Sequence, residues 1–399
     1  MISGGFVRSS FLAILLVVTD TVVQRFRVTL DYPVVFTRDA LSVDNPALAD
    51  VVSRREPERR HRVVAIVDRN VAAAHPGLGD GLAAYAAAHP ARIELVAPLE
   101  VIPGGEPAKT WAVAEALWRR LAELRIDRHS YVVAIGGGAV LDVVGFAAAT
   151  LHRGVRLVRM PTTVLAQNDA GIGVKNGINA FGAKNMLGAF APPFAVINDS
   201  RFLATLGPRD RAAGMAEAVK VALVRDAGFF TWLVEHRAQL AAFEPAAVEV
   251  LIRRCAELHL AHIAGGGDPF EQGNARPLDF GHWAAHKLEL LTDHGLRHGE
   301  AVAIGMALDA RYSVESGLLG EADCRAILEL LAGLGLPVWH DALRSPALLD
   351  GLAEFREHLG GELCITLLAA IGRGVDARDV HPLRVQQAIA ALQPQNAPA

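Results

Sequence analysis

Tyr131-Val-Val-Ala-Ile-Gly136-Gly-Gly138-Ala-Val-Leu-Asp142 decides the fold class of this chain. Tyr131–Ile135 is an unbroken apolar run of strand length, and glycines follow it directly before a helical apolar pattern resumes. Glycines between a strand and a helix let backbone N–H groups approach a pyrophosphate, whose charge the helix N-terminus favours. Gly136, Gly137 and Gly138 do not spell G-x-G-x-x-G, so the standard dinucleotide fingerprint is absent and a tight turn is the competing reading.

Outward from that stretch, strands and helices alternate. Val63-Val-Ala-Ile-Val-Asp68, Arg92–Val96, Val155–Met160 and Phe194–Asn198 read as strands, and Trp111–Leu124 carries apolar residues at helical spacing. Such alternation predicts a mostly parallel sheet with helices on its faces. Asp68 ends its strand before Arg69-Asn70 and is placed to accept ribose hydroxyls. Capping the following helix is its other reading. Beyond Arg201 the pattern changes. Segments 209–264, 279–292, 298–317, 322–334, 346–358 and 382–393 read as amphipathic helices, and only Leu363–Leu368 is strand-like. The expected architecture is α/β: a Rossmann-like domain with a parallel sheet over residues 22–203, then a mainly α-helical domain over 204–399.

The helical part holds Asp279-Phe-Gly-His282-Trp-Ala-Ala-His286 and then Leu296-Arg-His298-Gly-Glu300. His282 and His286 are four residues apart and share one helix face. A break at Asp293-His294-Gly295 lets a second helix aim His298 at the same point. A catalytic zinc-type site takes three protein ligands and leaves one position open, and a carboxylate often completes the set. Glu217, in Gly214-Met-Ala-Glu217-Ala-Val-Lys220, is a candidate. A His-x-x-x-His pair alone is more often helix surface or core, so the flanking Gly281 and Gly299 matter to the reading.

Two loops concentrate polar chemistry. Gly104-Gly-Glu106-Pro-Ala-Lys109 has one acid and one base and would otherwise pass for an ordinary turn. Pro161-Thr162-Thr163 leads through Asp169 and Lys175 to Asn179, and Gly182-Ala-Lys184-Asn185 follows. Loops on a rigid scaffold carry function. Lys175 and Lys184 suit phosphate or carboxylate groups as point charges, with solvated surface lysines as the alternative.

Composition bounds the function classes. The 399 residues are 52% apolar and 21% charged, with a net charge of −4, which fits a globular protein and gives no sign of nucleic acid as a partner. Cys255, Cys324 and Cys364 are scattered and form no C-x-x-C, so a disulfide framework is not expected and a reducing cytoplasm is. Phe11–Val18 is apolar but too short to span a membrane, which takes roughly 20 residues. No small-x-small cleavage site follows it. We read residues 1–21 as a dispensable extension, disordered or added by a start codon placed too early, with an export signal as the alternative. The folded pattern begins near Gln24–Leu30.

Taken together and in order, these motifs resemble the sugar phosphate cyclases, the superfamily of dehydroquinate synthase, from about Arg62 to Gly372. Within that superfamily the chain resembles the branch found in ebo-type gene clusters. The resemblance implies that Glu217, His282 and His298 bind one divalent metal, zinc or cobalt, while His286 faces the substrate phosphate. It implies NAD contacts at Asp68, Asn70, Glu106, Lys109, Gly136, Gly137, Gly138, Asp142, Thr162, Thr163, Lys184 and Asp210. Asp169, Lys175, Asn185, Lys220 and Arg276 match positions of the substrate pocket. Arg153 matches an arginine that reaches the phosphate of a neighbouring subunit's site, which implies a homodimer. The implied reaction converts a heptulose or heptulosonate 7-phosphate into a carbocycle. A ring alcohol is oxidised, phosphate leaves by elimination, the ketone is reduced again and an intramolecular aldol closes the ring, with NAD regenerated each turnover.

The chain departs from the dehydroquinate synthase pattern on the substrate side. Asp279 stands where an asparagine is usual, a pocket lysine is missing near Ala261-His262, and Asn168, Val174 and Asn176 alter the glycine loop. Arg276 lies one residue nearer His282 than the pattern expects. Three activities remain in view: a cyclase with another substrate, 3-dehydroquinate synthase proper, and a metal-dependent polyol or glycerol dehydrogenase of the same architecture.

Overall fold

The computed structural model describes residues 21–266, 270 and 278–394. The apolar run Phe11–Val18 and Arg276 therefore lie outside the described residues. Residues 21–31 form a unit by themselves, exposed and without regular secondary structure. The start of the pattern expected at Gln24–Leu30 thus moves to Val34: an alternating apolar run adds to a fold only where a neighbouring strand supplies a ladder.

From Tyr32 onward the chain is one unit. Its main sheet has seven strands: β1 (Val34–Thr37), β2 (His61–Asp68), β3 (Ile93–Leu95), β4 (Glu100–Ile102), β5 (Tyr131–Gly136), β6 (Arg156–Pro161) and, after the hairpin of β7 (Lys175–Ala180) and β8 (Ala183–Phe190), β9 (Ala195–Asp199). The order is β1-β9-β6-β5-β2-β3, with β4 also paired to β2, and every pairing is parallel. Parallel sheets are covered on both faces, which is why β5 and β9 are buried throughout. One apolar cluster packs Val63, Ala65 and Val67 of β2 against Leu48 and Leu82; another packs Val64 and Ile66 against Leu117, Leu141 and Val144. Alternate residues of the same strand thus serve two cores.

The chain leaves β2 outward to β3 and β4 and returns to β5 on the other side. Strand order therefore reverses between β2 and β5, and the carboxyl ends of those strands flank a crevice where open α/β sheets bind ligands. Asp68 ends β2, and Gly136 ends β5.

Two features of the first half were read as loops. Lys175–Phe190 is an antiparallel hairpin closed by Phe181 and Gly182, both at positive φ (53° and 77°), the geometry of a two-residue primed turn. Ala166–Ala170 is a π-helical turn, a rare form that is frequent at functional sites.

The second half is helical around a single apolar cluster. The long segment 209–264 divides into Pro208–Arg225, Ala227–Glu235, Arg237–Ala241 and Pro245–Gly265. Asp226 makes the first break by capping the next helix through Phe229 N at 3.0 Å. Phe243 at φ 57° precedes the last helix. The strand expected at Leu363–Leu368 is β10 (Ile365–Ala370), which pairs with β11 (Arg373–Ala377).

Candidate active site

Three elements converge on one carboxylate. Glu217 lies mid-way along Pro208–Arg225 and is fully buried. His282 opens the helix His282–Leu291, and His298 opens His298–Glu315. The connection that separates the two helices holds Asp293 and His294 at φ 48° and 58°, the left-handed conformation that reverses the chain. Glu217, His282 and His298 each offer a ligand atom within 4.8 Å of the others. His282 Nε2 and His298 Nε2 both stand 3.7 Å from Glu217 Oε1.

The imidazoles are oriented by their other nitrogens. His282 Nδ1 lies 3.3 Å from the Phe280 carbonyl, and His298 Nδ1 lies 3.5 Å from Glu289 Oε2. A metal-binding histidine is fixed in this way, with one nitrogen donating to a carbonyl or carboxylate so that the other is left for the ion. Burial, helped by Lys220, pulls the His282 pKa well below its usual value. Glu217 Oε1 is buried with no hydrogen-bond partner among the described residues. An orphaned buried carboxylate oxygen between two imidazole nitrogens fits a divalent cation.

Glu217 is not otherwise uncompensated. Lys220, buried one turn along the same helix, touches Glu217 Oε2. Burial pushes the Glu217 carboxyl up, but Lys220 and His298 outweigh it and hold the pKa below the usual value. The Lys220 ammonium is raised above its ordinary pKa because Glu217, Asp169 and Asp279 together overcome its burial. Asp279 is likewise kept ionised, with His282, Lys175, Lys220 and His286 overcoming the effect of burial. Lys175, at the start of β7, and His286 are exposed, and the His286 ring lies 5.6 Å from that of His282. The metal-type triad thus borders a cationic group with Asp279 inside it.

Glu289 joins that triad to the β7–β8 hairpin. Its Oε1 accepts from Lys184 Nζ at 2.9 Å while its Oε2 faces His298. Burial raises its pKa, but His298 and Lys184 prevail and lower it to about 2. Glu289→Gln should weaken divalent-metal binding by about 10- to 100-fold, the usual effect of removing a carboxylate behind a histidine ligand. Competition with a chromophoric chelator measures this, and unchanged affinity would remove Glu289 from the site.

The crevice between β2 and β5 has the fittings of a dinucleotide site. Gly137 caps the helix Gly138–Thr150 without a side-chain hydrogen bond, so the helix N-terminus opens at the end of β5. A Cβ on Gly104 would lie 2.2 Å from Asp68 Oδ1 and 2.6 Å from Asn70 Nδ2, so only glycine lets this loop cover Asp68. Asp68 also caps the following helix, its Oδ1 accepting from Asn70 N at 2.7 Å. Thr162 Oγ1 is buried without a hydrogen-bond partner among the described residues, whereas Thr163 Oγ1 accepts from Ala166 N at 3.1 Å. Lys109 bonds Asp142 at 2.7 Å and touches Asn185 Oδ1, while Glu106 accepts from Asn179 at 2.9 Å. Helix terminus, buried hydroxyl and strand-end acid fit NAD.

Asp210 pairs with Arg297 at 3.1 Å in the first turn of Pro208–Arg225. Arg153 is exposed on a turn where His152, Arg153 and Gly154 all have positive φ.

The family model for the N-terminal part of 3-dehydroquinate synthase matches residues 99–213, and that for its C-terminal part matches residues 214–356. The chain belongs to the 3-dehydroquinate synthase family. A 3-dehydroquinate synthase of a Bradyrhizobium species is 40% identical over 302 residues, covering 73% of this chain and 78% of that protein. The 2-epi-5-epi-valiolone synthase of Streptomyces glaucescens is 36% identical over 364 residues and covers 90% of each. Among solved structures, the 2-epi-5-epi-valiolone synthase of Streptomyces hygroscopicus, with NAD+ and Zn2+ bound, superposes with a TM-score of 0.83 at 34% identity. It covers 93% of this chain and 99% of that one. The expected α/β fold and the expected enzyme class, the phosphate-eliminating sugar phosphate cyclases, are both met.

Within this 3-dehydroquinate synthase family chain, several site residues escaped the sequence reading. Glu289 follows His282 and His286 at helical spacing, so its place on that face was legible. Arg159 interrupts the apolar strand β6 and is fully buried. Its guanidinium donates to the carbonyls of Gly171, Gly173 and Lys175 at 3.1, 2.7 and 2.9 Å and to Asn176 Oδ1 at 2.6 Å, tying down the loop between Asp169 and Lys175. Asp309 accepts from Gly281 N at 2.9 Å and Trp283 Nε1 at 2.8 Å, clamping the turn that presents His282. Among the described residues no helix is long and apolar enough to cross a membrane.

Proposed function

We propose that this chain is an NAD- and divalent-metal-dependent sugar phosphate cyclase that takes a heptulose 7-phosphate to a carbocycle with release of phosphate. The observation that carries the reading is the Glu217 carboxylate, its Oε1 without a hydrogen-bond partner among the described residues, between His282 and His298 and bordered by Lys175, Lys220 and His286. A polyol dehydrogenase needs no such cationic border, because its substrate loses no anion. When bound, NAD supplies a hydride acceptor and the ion, zinc or cobalt, supplies Lewis acidity.

The chain's own groups do the rest. Glu217, His282 and His298 hold the ion, and Glu289 keeps His298 oriented. Gly136–Gly138 and the helix behind them take the pyrophosphate, with Asp68, Asn70, Glu106, Lys109, Asp142, Thr162, Thr163, Lys184 and Asp210 around the cofactor. Lys175, Lys220 and His286 receive the charge of the departing phosphate and relay its proton. Asp169, Asn185 and Arg276 bind the substrate. Residues 32–203 and 204–399 act as the two domains, with the site in the cleft between them. In a cytoplasmic homodimer Arg153 reaches the partner's site.

Asp279 selects the substrate. Its ionised carboxylate consumes part of the cationic field that a substrate carboxylate would need, which favours sedoheptulose 7-phosphate over 3-deoxy-arabino-heptulosonate 7-phosphate. The 36–40% identity to 3-dehydroquinate synthases and a valiolone synthase supports either substrate class, so Asp279 carries the choice. Asp279→Asn should raise kcat/KM for the heptulosonate by about tenfold, the worth of one removed like-charge contact of roughly 1.4 kcal/mol. No gain would strike Asp279 from the specificity elements.

A further inference from the structure

His298 has the Glu289 carboxylate behind its Nδ1, whereas Nδ1 of His282 faces a carbonyl, that of Phe280 at 3.3 Å. A carbonyl only accepts, so Nδ1 of His282 is the donor. Its Nε2, 3.7 Å from Glu217 Oε1, is the nitrogen left for the ion. The Phe280 carbonyl belongs to the same peptide group as the Gly281 N–H, and that N–H donates to Asp309 Oδ2 at 2.9 Å. A trans peptide is planar with its C=O and N–H opposed, so a group that fixes one end aims the other. A carboxylate, a peptide and an imidazole thus lie in series behind one ligand position.

Asp309 is buried on His298–Glu315, the helix that opens with the other histidine ligand. Its second oxygen accepts from Trp283 Nε1 at 2.8 Å, so one carboxylate holds the residues on both sides of His282. The turn lies directly against that helix. A Cβ on Gly281, whose φ is 82°, would stand 2.6 Å from Met306 N, and one on Gly305 would stand 2.0 Å from the Gly281 carbonyl oxygen. Two glycines let the backbones touch, and both histidine ligands take their positions from one helix. Burial lifts the Asp309 pKa to about 7, against the opposing effect of its two N–H donors. A leucine of the same shape would cost less to bury, so the carboxylate needs a reason beyond packing.

We propose that Asp309 is a positioning residue for the metal site, acting through the Phe280–Gly281 peptide to fix the direction and the tautomer of the His282 imidazole. The assignment rests on the divalent ion of the cyclase reading. A peptide whose N–H is bound by a carboxylate is the more strongly polarised, and its carbonyl is the better acceptor for Nδ1–H. That raises the basicity of Nε2, as a carboxylate directly behind a histidine ligand does. His298 receives this support from Glu289 at first hand, and His282 receives it from Asp309 across one peptide.

The test is competition of the full-length protein with a chromophoric chelator for zinc at pH 8, together with the visible spectrum of the cobalt form, so that no turnover enters. Trp283→Phe removes the indole donor, leaves the Gly281 contact and should bind zinc within about threefold of wild type. In that background Asp309→Asn still offers the Gly281 N–H an acceptor and should change affinity by no more than about threefold again. Asp309→Leu has the same shape without an acceptor. It should weaken zinc binding by about tenfold or more and alter the cobalt d–d bands. Asp309→Ala leaves room for water at the orphaned N–H and replaces the Leu variant, with the same loss expected, if that one does not fold. A wild type that takes up no zinc would overturn the metal site itself. With a wild type that does, three results would overturn the role of Asp309: a Leu or Ala variant that binds like the Asn variant, an Asn variant as weak as Leu, or cobalt bands unchanged throughout.

Discussion

His282→Ala is expected to give a folded protein that binds NAD+, holds no divalent ion and releases phosphate at least about a thousandfold more slowly, a loss of roughly 4 kcal/mol in transition-state stabilisation. Three ligands are the minimum for such a site, and His282 Nε2 is one of two nitrogens 3.7 Å from Glu217 Oε1. His286 is exposed, and it does not belong to the group whose ligand atoms lie within 4.8 Å of one another. His286→Ala should accordingly keep the ion and still impair phosphate release. Metal content by mass spectrometry separates the two variants. One equivalent of ion retained in His282→Ala would remove it from the ligand set.

Lys220→Met should destabilise the metal-free protein by about 3–5 kcal/mol, the usual result of removing one partner of a buried ion pair. Lys220 is 3% exposed and answers Glu217, Asp169 and Asp279, so its loss removes the buried cation those three carboxylates share. The same substitution should cost less in the metal-loaded protein, since a bound cation compensates Glu217 in its stead. Urea unfolding with and without zinc gives both numbers. An equal loss in the two states would mean that Lys220 and the ion do not share the Glu217 carboxylate.

Much of the fold was legible because its signals are local. A strand running through Gly136–Gly138 into a helix needs only the residues in order, and His282, His286 and His298 announce themselves by helical spacing and an intervening break. What escaped depends on partners far along the chain. β1 exists because β9, some 160 residues later, offers it a parallel edge. The Lys175–Phe190 hairpin is polar and glycine-rich, so its pairing shows no apolar alternation. The site's supporting residues were hidden for the same reason. Arg159 looks misplaced in an apolar strand until the carbonyls of the loop it secures are seen. His259 and His262 are one helical turn apart, and only the packing of Pro245–Gly265 decides which one meets Asp169.

The most direct test of the central claim follows phosphate and NADH together, with zinc- or cobalt-loaded protein, NAD+ and sedoheptulose 7-phosphate or 3-deoxy-arabino-heptulosonate 7-phosphate. A cyclase built on Glu217, His282 and His298 releases phosphate while NADH does not accumulate. Net NADH formed without phosphate would contradict the account and make the protein a polyol-type dehydrogenase.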